Sequence, residues 1–476
     1  MSEDIEEKAL ELVKPRPEDY ARVKRVFSEI KERIETALRE QGVEAEIHLE
    51  GSVAKDTWLK DSPELDIFVI LPRETGKEGI REKVFPALWS ALEQYNPVKN
   101  YSEHPYLTLS CNGVQVDVVP ALKRGPNDPV RTAVDRTPLH TEYVKSKTDE
   151  KLRDEIRLLK RFAKTIGVYG AEIKVEGFSG YLLELLAIYY GGFRKTLEAA
   201  CKWKPPIIID IEGFYKSKEE ILRRFEQKPM IVIDPTDKNR NVAAALSLRR
   251  IAEFSLASRL YLMNPSIHYF KPWQPNRQYI ENLKTLLEPY HDNTLLVIAS
   301  LDENLPPDTI WGEAKRSLRI LVKKLRERGF SIVRYDAWCN EKNTVVLACM
   351  LESSMLSKKA LQRGPPFYSR DHSLRFIEKY VMTPGSGPWV NDEGRLESLR
   401  DRDTTNAVGA VKKEIGNILV SHLARSKWEV TLLSWKPELL TTDDVGPWLL
   451  EFLWGKPKWL LPHLAAVIEN GGTRES

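Results

Sequence analysis

Residues 51 to 70 read GSVAKDTWLKDSPELDIFVI, and the two acids late in this stretch constrain the chain more than any other feature. Ile67, Phe68, Val69 and Ile70 are β-branched or aromatic, and Pro72 follows closely, so the segment from Glu64 predicts a strand. Side chains alternate along a strand. Glu64 and Asp66 therefore share one face, about 6 to 7 Å apart, and Leu65 and Ile67 take the other. Two carboxylates that close raise one another's pKa, and desolvation adds to the rise. An acid pair at a strand edge facing water is the ordinary explanation. Against it stands the Gly51-Ser52 corner upstream. Glycine lets the backbone turn sharply and approach a ligand, and Ser52 offers a hydroxyl and an amide at a helix start, where phosphate binds. Carboxylates beside phosphate suit magnesium, which takes both kinds of oxygen.

A third acid follows. Residues 107–109 and 114–119 predict two strands joined at Asn112-Gly113, a strong hairpin signal. Val114, Val116 and Val118 share one face, and Asp117 lies on the other. An aspartate inside VQVDVV is hard to read as a solvated charge. It could cap a turn or pair with an arginine, but a third carboxylate is what the Glu64/Asp66 pair lacks. Upstream, residues 18 to 41 predict an amphipathic helix and 45 to 49 a strand, giving the order helix, strand, Gly-Ser, short helix, acidic strand. Residues 78 to 95 predict another helix.

Beyond Pro120 the chain is basic and irregular, with Lys123, Arg124 and Arg131. Thr137-Pro138 predicts a helix start that leaves His140 in the first turn, where a neutral imidazole can face a phosphate. A lone histidine is nonetheless more often structural. Residues 150 to 166 predict a helix with Lys160 beside its apolar stripe, ended by Gly167 and followed by Tyr169. Solvent exposure for Lys160 and core packing for Tyr169 are the competing readings. Residues 177 to 197 predict one largely buried helix. Asp234-Pro235 and Arg240-Asn241 bracket a loop, and a helix runs from Val242 to about Met263.

From about residue 275 the order strand (294–299), helix (311–328), strand (331–338), strand (344–351), helix (373–381) predicts a ferredoxin-like or RNA-recognition-like module. Residues 382 to 394 read as a linker, and 405–432 and 442–469 as helices carrying basic clusters and tryptophans. A chain of 476 residues calls for three or four lobes. Net charge is only +3, so any nucleic-acid binding must use local patches. The four scattered cysteines suit a reducing cytosol and offer neither a zinc site nor a disulfide framework. The charged N-terminus is no signal peptide, and the apolar run at 178–193 is too short to span a membrane.

Gly51-Ser52, Glu64-x-Asp66 and Asp117, in this order, resemble the polymerase-beta-like nucleotidyltransferase superfamily. Further blocks resemble the archaeal, class I, CCA-adding tRNA nucleotidyltransferases: SEHPY at 102–106, VDVVPAL at 116–122, AVDRTPLH at 133–140, IRLLKRFAKTIGVYGAEIKVEGFSGYLLELL at 156–186 and DPTDKNRNVAAALS at 234–247. The resemblance implies an α+β chain with a nucleotidyltransferase catalytic head (1–145), a helical nucleotide-binding neck (146–275), a ferredoxin/RRM-like body (276–390) and an α-helical, tRNA-binding tail (391–476). It implies addition of C, C and A to the tRNA 3′ end from CTP and ATP, with Mg2+ held by Glu64, Asp66 and Asp117. Ser52 and Lys55 match positions that hold the incoming triphosphate. His140, Lys160 and Tyr169 match further nucleotide contacts, and Arg240 matches an arginine near the base and RNA. Lys55 stands where arginine is frequent, and Asp61 where glycine is common. Family members are often cytoplasmic homodimers. The alternatives are another polymerase-beta-like enzyme, of the poly(A) polymerase or oligoadenylate synthetase type, and a catalytically inactive RNA-binding protein.

Overall fold

The computed structural model describes residues 2–101, 105–123, 133–226, 228–382 and 387–469, in two compact units: residues 1–274 with 456–476, and residues 275–455. Arg124 and Arg131 of the basic segment lie outside the described residues.

The first unit opens with α1 (Ser2–Val13), which the sequence reading did not anticipate, and α2 (Pro17–Glu40). Proline at the start of α2 and Asp19, which accepts the Arg16 N–H at 2.9 Å, fix its beginning. Next come β1 (Glu46–Glu50), α3 (Gly51–Ala54), β2 (Glu64–Leu71), α4 (Gly76–Gly79), α5 (Phe85–Leu92), β3 (Val98–Tyr101), β4 (Pro105–Cys111) and β5 (Val114–Leu122). The sheet runs β1-β2-β5-β4-β3, with β2 and β5 parallel and the other pairs antiparallel. Asn112 and Gly113 both take positive φ, 51° and 73°, as a tight two-residue hairpin turn requires. Val23, Val26, Ile30 and Ile34 of α2 pack with Leu65, Ile67, Val116 and Val118 in one buried cluster. Alternation therefore gives the other sheet face to the acids.

The unit continues with α6 (Ala133–Lys147), α7 (Glu150–Thr165), α8 (Gly180–Tyr190), α9 (Phe193–Ala200), β6 (Ile207–Asp210), α10 (Lys218–Arg224), β7 (Met230–Asp234), β8 (Asp237–Asn241) and α11 (Leu248–Met263). Three sequence expectations change here. Pro138 lies inside α6, so Thr137 is not its cap and His140 is not in its first turn. The stretch 177–197 is two helices, because Gly191 and Gly192 both take positive φ. The loop at 234–241 is a hairpin in the three-stranded sheet β6-β7-β8, so this region is not wholly helical. Its aromatic core gathers Phe162, Phe178, Phe193, Phe254, Tyr261 and Tyr269.

The second unit contains α12 (Arg277–Leu287), β9 (Thr294–Ser300), α13 (Pro307–Glu327), β10 (Ile332–Cys339), β11 (Thr344–Leu351), β12 (Lys359–Pro366), α14 (Arg370–Val381), β13 (Trp389–Val390), β14 (Arg395–Asp401), α15 (Ala407–Ile418), β15 (Lys427–Leu432) and α16 (Val445–Trp454). Its main sheet runs β10-β11-β9-β15, all antiparallel. This is the ferredoxin-like βαββαβ order, with α15 and β15 as the closing helix and strand. The sequence reading had α14 in that place and 427–432 as helix. Instead α14 belongs to an inserted layer with the sheet β12-β14-β13. The chain then breaks at Gly455 (φ +67°) and returns to the first unit as α17 (Leu461–Glu469).

Candidate active site

Parallel pairing of β2 with β5 sets Asp66 directly against Asp117, with Glu64 two residues earlier on the same face. Antiparallel pairing of β1 sets Glu50 on the other side of Asp66. Burial first, and then the charges of Asp117 and Glu64, push the Asp66 carboxyl up to about 7, with Lys55 opposing. Burial and Glu64 also raise Asp117, against a hydrogen bond from Thr108 Oγ1 to its Oδ1 at 2.5 Å. Thr108 is held in turn by Asn100 Nδ2 at 2.9 Å. Glu50 is 5% exposed, and its Oε2 has no hydrogen-bond partner among the described residues. The Gly51 corner closes tightly over this row: a Cβ there would stand 1.7 Å from Asp66 Oδ2. Ser52 is half-buried at the same corner, on α3. Acids packed together with so little neutralising charge are a donor set for a divalent cation. Among the described residues, however, no three histidine, cysteine or acidic side chains already stand around one metal position.

Lys55 and Lys160 form a second group. Both are buried, and both donate to Glu184 of α8, which is fully buried: Lys55 Nζ to Oε2 at 2.6 Å, Lys160 Nζ to Oε1 at 2.8 Å. Thr57 Oγ1 also donates to Oε1, at 2.6 Å, and accepts from Lys160 at 3.0 Å. Burial lowers the pKa of Lys160 against the pull of Glu184, while Lys160 and Lys55 hold the Glu184 carboxyl low against its own burial. The competing reading of Lys160 as a solvated side chain therefore does not hold. Tyr169 borders this group, since a Cβ at Gly180 would meet its hydroxyl at 2.9 Å and Lys160 Nζ at 3.7 Å. Lys164, one turn beyond Lys160, lies 5.0 Å over the Tyr169 ring. Arg157 is also buried and grips the 56–58 segment through Asp56 and the carbonyl of Trp58.

His140 belongs to a third group, around Asp234. Its Nε2 lies 2.9 Å from Asp234 Oδ2, and Arg240 Nη1 donates to the same oxygen at 2.8 Å. The His140 ring stacks on Tyr181, centroids 3.8 Å apart, and the Tyr181 hydroxyl donates to Asp234 Oδ1 at 3.2 Å. Burial lowers the pKa of the imidazole, so the neutral ring expected from a helix terminus arises from a different cause. The Asp234 carboxyl stays low against burial because His140, Thr236 and Arg240 all bind it. Lys55 Nζ lies 5.6 Å from the Tyr181 ring centre, so Tyr181 stands between the lysine and histidine groups.

Glu184, Thr57, Thr108, Tyr181 and Asp234 are the residues the sequence reading did not assign. The signal for Glu184 was available: a lone acid in the apolar run GYLLELLAIYY carries the same desolvation argument that singled out Asp117. Asp61 is not left loose by the absence of glycine, because Arg161 binds its carboxylate.

Three sequence profiles match the chain: a nucleotidyltransferase domain over residues 31–140, the second domain of tRNA nucleotidyltransferases over 154–271, and the C-terminal domain of CCA-adding enzymes over 293–431. The chain is 39% identical over 456 residues to the CCA-adding enzyme of Saccharolobus shibatae, covering 96% of this chain and 100% of the relative. It is 40% identical to that of Sulfolobus acidocaldarius (96% and 99% covered) and 38% identical to that of Sulfurisphaera tokodaii (96% and 99% covered). Matches that extend into a C-terminal domain particular to CCA-adding enzymes do not favour the poly(A) polymerase or oligoadenylate synthetase alternative.

Proposed function

The chain belongs to the CCA-adding enzymes, and from that premise we propose that it completes the tRNA 3′ end with C, C and A, drawn from CTP and ATP without a nucleic-acid template. In each step the 3′-hydroxyl oxygen attacks the nucleotide α-phosphorus, the α–β phosphoanhydride bond breaks, and pyrophosphate leaves. The observation that carries this reading is the register of Asp66 against Asp117 beside Glu64, at a glycine corner too close for any side chain.

Glu64, Asp66 and Asp117 would hold magnesium. Bound there, the metal supplies positive charge against the triphosphate and acidifies the attacking hydroxyl. The chain's own groups do the positioning. Thr108 fixes the rotamer of Asp117. Ser52 and Lys55 face the phosphates from the corner and its short helix, and Lys160 and Tyr169 add positive charge and a hydroxyl from the neck. His140 and Arg240, oriented on Asp234, serve the base side of the pocket. By role, residues 1–145 act as catalytic head and 146–275 as neck, and the body, which α15 and β15 close, grips tRNA together with the helices that follow it, in a cytoplasmic homodimer.

Nucleotide incorporation on tRNA ending at the discriminator base, at C and at CC tests the proposal. The expected products gain three, two and one nucleotides and then stop; open-ended A-tailing would overturn it. Asp66→Ala and Asp117→Ala should each abolish incorporation with tRNA affinity and circular dichroism unchanged, and EDTA should stop it reversibly.

A further inference from the structure

The second of these groups is built around one unassigned residue, Glu184. Its two oxygens accept three hydrogen bonds, two from lysines of different segments and one from Thr57. It is fully buried in a helix whose other residues are mostly apolar, so it makes no contact with solvent and has little capacity left for a ligand of its own. Here two buried ammonium groups share one carboxylate, and the Lys55 charge also reaches Asp66 in the acid row. Lys160 directs its ammonium to Glu184 Oε1, Thr57 Oγ1 and Thr57 O at 2.8, 3.0 and 3.2 Å, which accounts for its three N–H donors. Lys55 spends one on Glu184.

We infer that Glu184 is a positioning residue for the nucleotide triphosphate: it holds Lys55 and Lys160 side by side and charged, and the substrate phosphates supply the second anion. This rests on the proposed phosphate site above, with Lys55 as the donor to phosphate and Lys160, its N–H groups already bound, adding positive charge behind it. Without the carboxylate, two buried cations would repel one another, and the one with least solvent would give up its proton. The groups facing Lys160 are Glu184 from α8, Lys55 and Thr57 from the segment after α3, Arg157 from its own helix and the Tyr169 hydroxyl beside Gly180. Among the described residues, Glu184 is the acid that Lys160 binds directly.

The test is Glu184→Gln, which keeps shape and removes charge, read by titration with a fluorescent ATP analogue and Mg2+ and by ATP incorporation on tRNA ending in CC. The expected result at pH 7.5 is a nucleotide Kd and KM raised about tenfold or more, with tRNA KM unchanged. The nucleotide Kd of the variant should rise further between pH 7 and 9, whereas the wild-type Kd stays nearly level; a merely structural glutamate would not create that slope. Thr57→Val provides a second variant that preserves every charge, and its nucleotide Kd should rise about threefold or more. A nucleotide Kd that follows wild type at every pH in Glu184→Gln, or an unmoved Kd in Thr57→Val where Glu184→Gln does not fold, overturns the inference. Wild type that binds nucleotide in this Glu184-dependent way but adds no terminal A would instead overturn the proposed function alone.

Discussion

Asp66 carries a charge that the fold makes expensive, and this has a consequence for pH. Its carboxyl titrates near 7 in the folded chain against 3.8 ordinarily, chiefly through burial, then through Asp117 and Glu64. Between those values the folded state retains a proton that the unfolded chain has released. The sign follows: stability of the metal-free protein falls as pH rises from about 4 to 7, and the full cost stands above 7. A divalent cation competes with the same proton, so it binds better at higher pH. In EDTA, thermal unfolding should therefore occur at lower temperature at pH 8 than at pH 6, and Asp66→Asn should flatten that slope. Added Mg2+ should raise Tm more at pH 8 than at pH 6. An Asp66→Asn variant with the wild-type slope would refute the account. Residues at this scale were legible where the argument was local. Glu64, Asp66 and Asp117 announce themselves as acids on apolar strands, and the register of β2 on β5 brings Asp66 and Asp117 together. Asp234 did not, because His140 lies 94 residues away from it in sequence, and spacing carries no information about that pairing.

At the scale of elements, legibility followed the strength of the local signal. The long amphipathic helix, the Asn112-Gly113 hairpin and the strands β9, β10 and β11 emerged close to their expected bounds. Breaks inside apolar runs were harder, since a continuous apolar pattern reads equally as one helix or two. The pair Gly191-Gly192 decides it. Gly192 sits at φ +115° and ψ −175°, a region that side chains avoid, and its carbonyl accepts from Thr196 Oγ1 at 2.7 Å. A Cβ there would lie 3.0 Å from Glu155 Oε2, the same atom that accepts the Phe193 N–H at 2.8 Å. Gly192→Ala should consequently cost about 1 to 3 kcal/mol, read as a lower urea midpoint with unchanged m-value. Because the strain lies at the start of α9 and not among the acids, nucleotide KM should hold. A variant as stable as wild type would show that the corner relaxes freely. The strand β15 was misread for a related reason: KWEVTL is too short for periodicity to separate strand from helix, and its pairing with β9 settles the matter.

At the scale of the whole molecule, the second unit is one continuous run of sequence, residues 275–455, set within a first unit made of two runs. Sequence periodicity could suggest a modular chain but not this return, which depends on where α17 packs. Gly455 turns the chain, and Trp459 then packs against the aromatic core of the first unit. Lys458 lies so close to Gly167 that a Cβ there would meet its side chain at 3.1 Å. Gly167 ends α7, the helix that carries Arg157 and Lys160. The terminal segment thus supports the end of the helix that delivers the buried lysine, although it is nearly 300 residues away in sequence. A chain ending at Gly455 should lose the partial burial of Trp459, a contribution of about 1.5 to 3 kcal/mol at most for a large apolar side chain. Calorimetry should show the first unit melting earlier, and hydrogen exchange should quicken at the α7 C-terminus. Residues 275–455 expressed alone contain their own core and should fold, with exchange in β9, β10 and β11 matching that of the full chain. If truncation left the first unit's transition in place, the terminal segment would be an ornament on the core and α7 would owe its position to the head and neck alone.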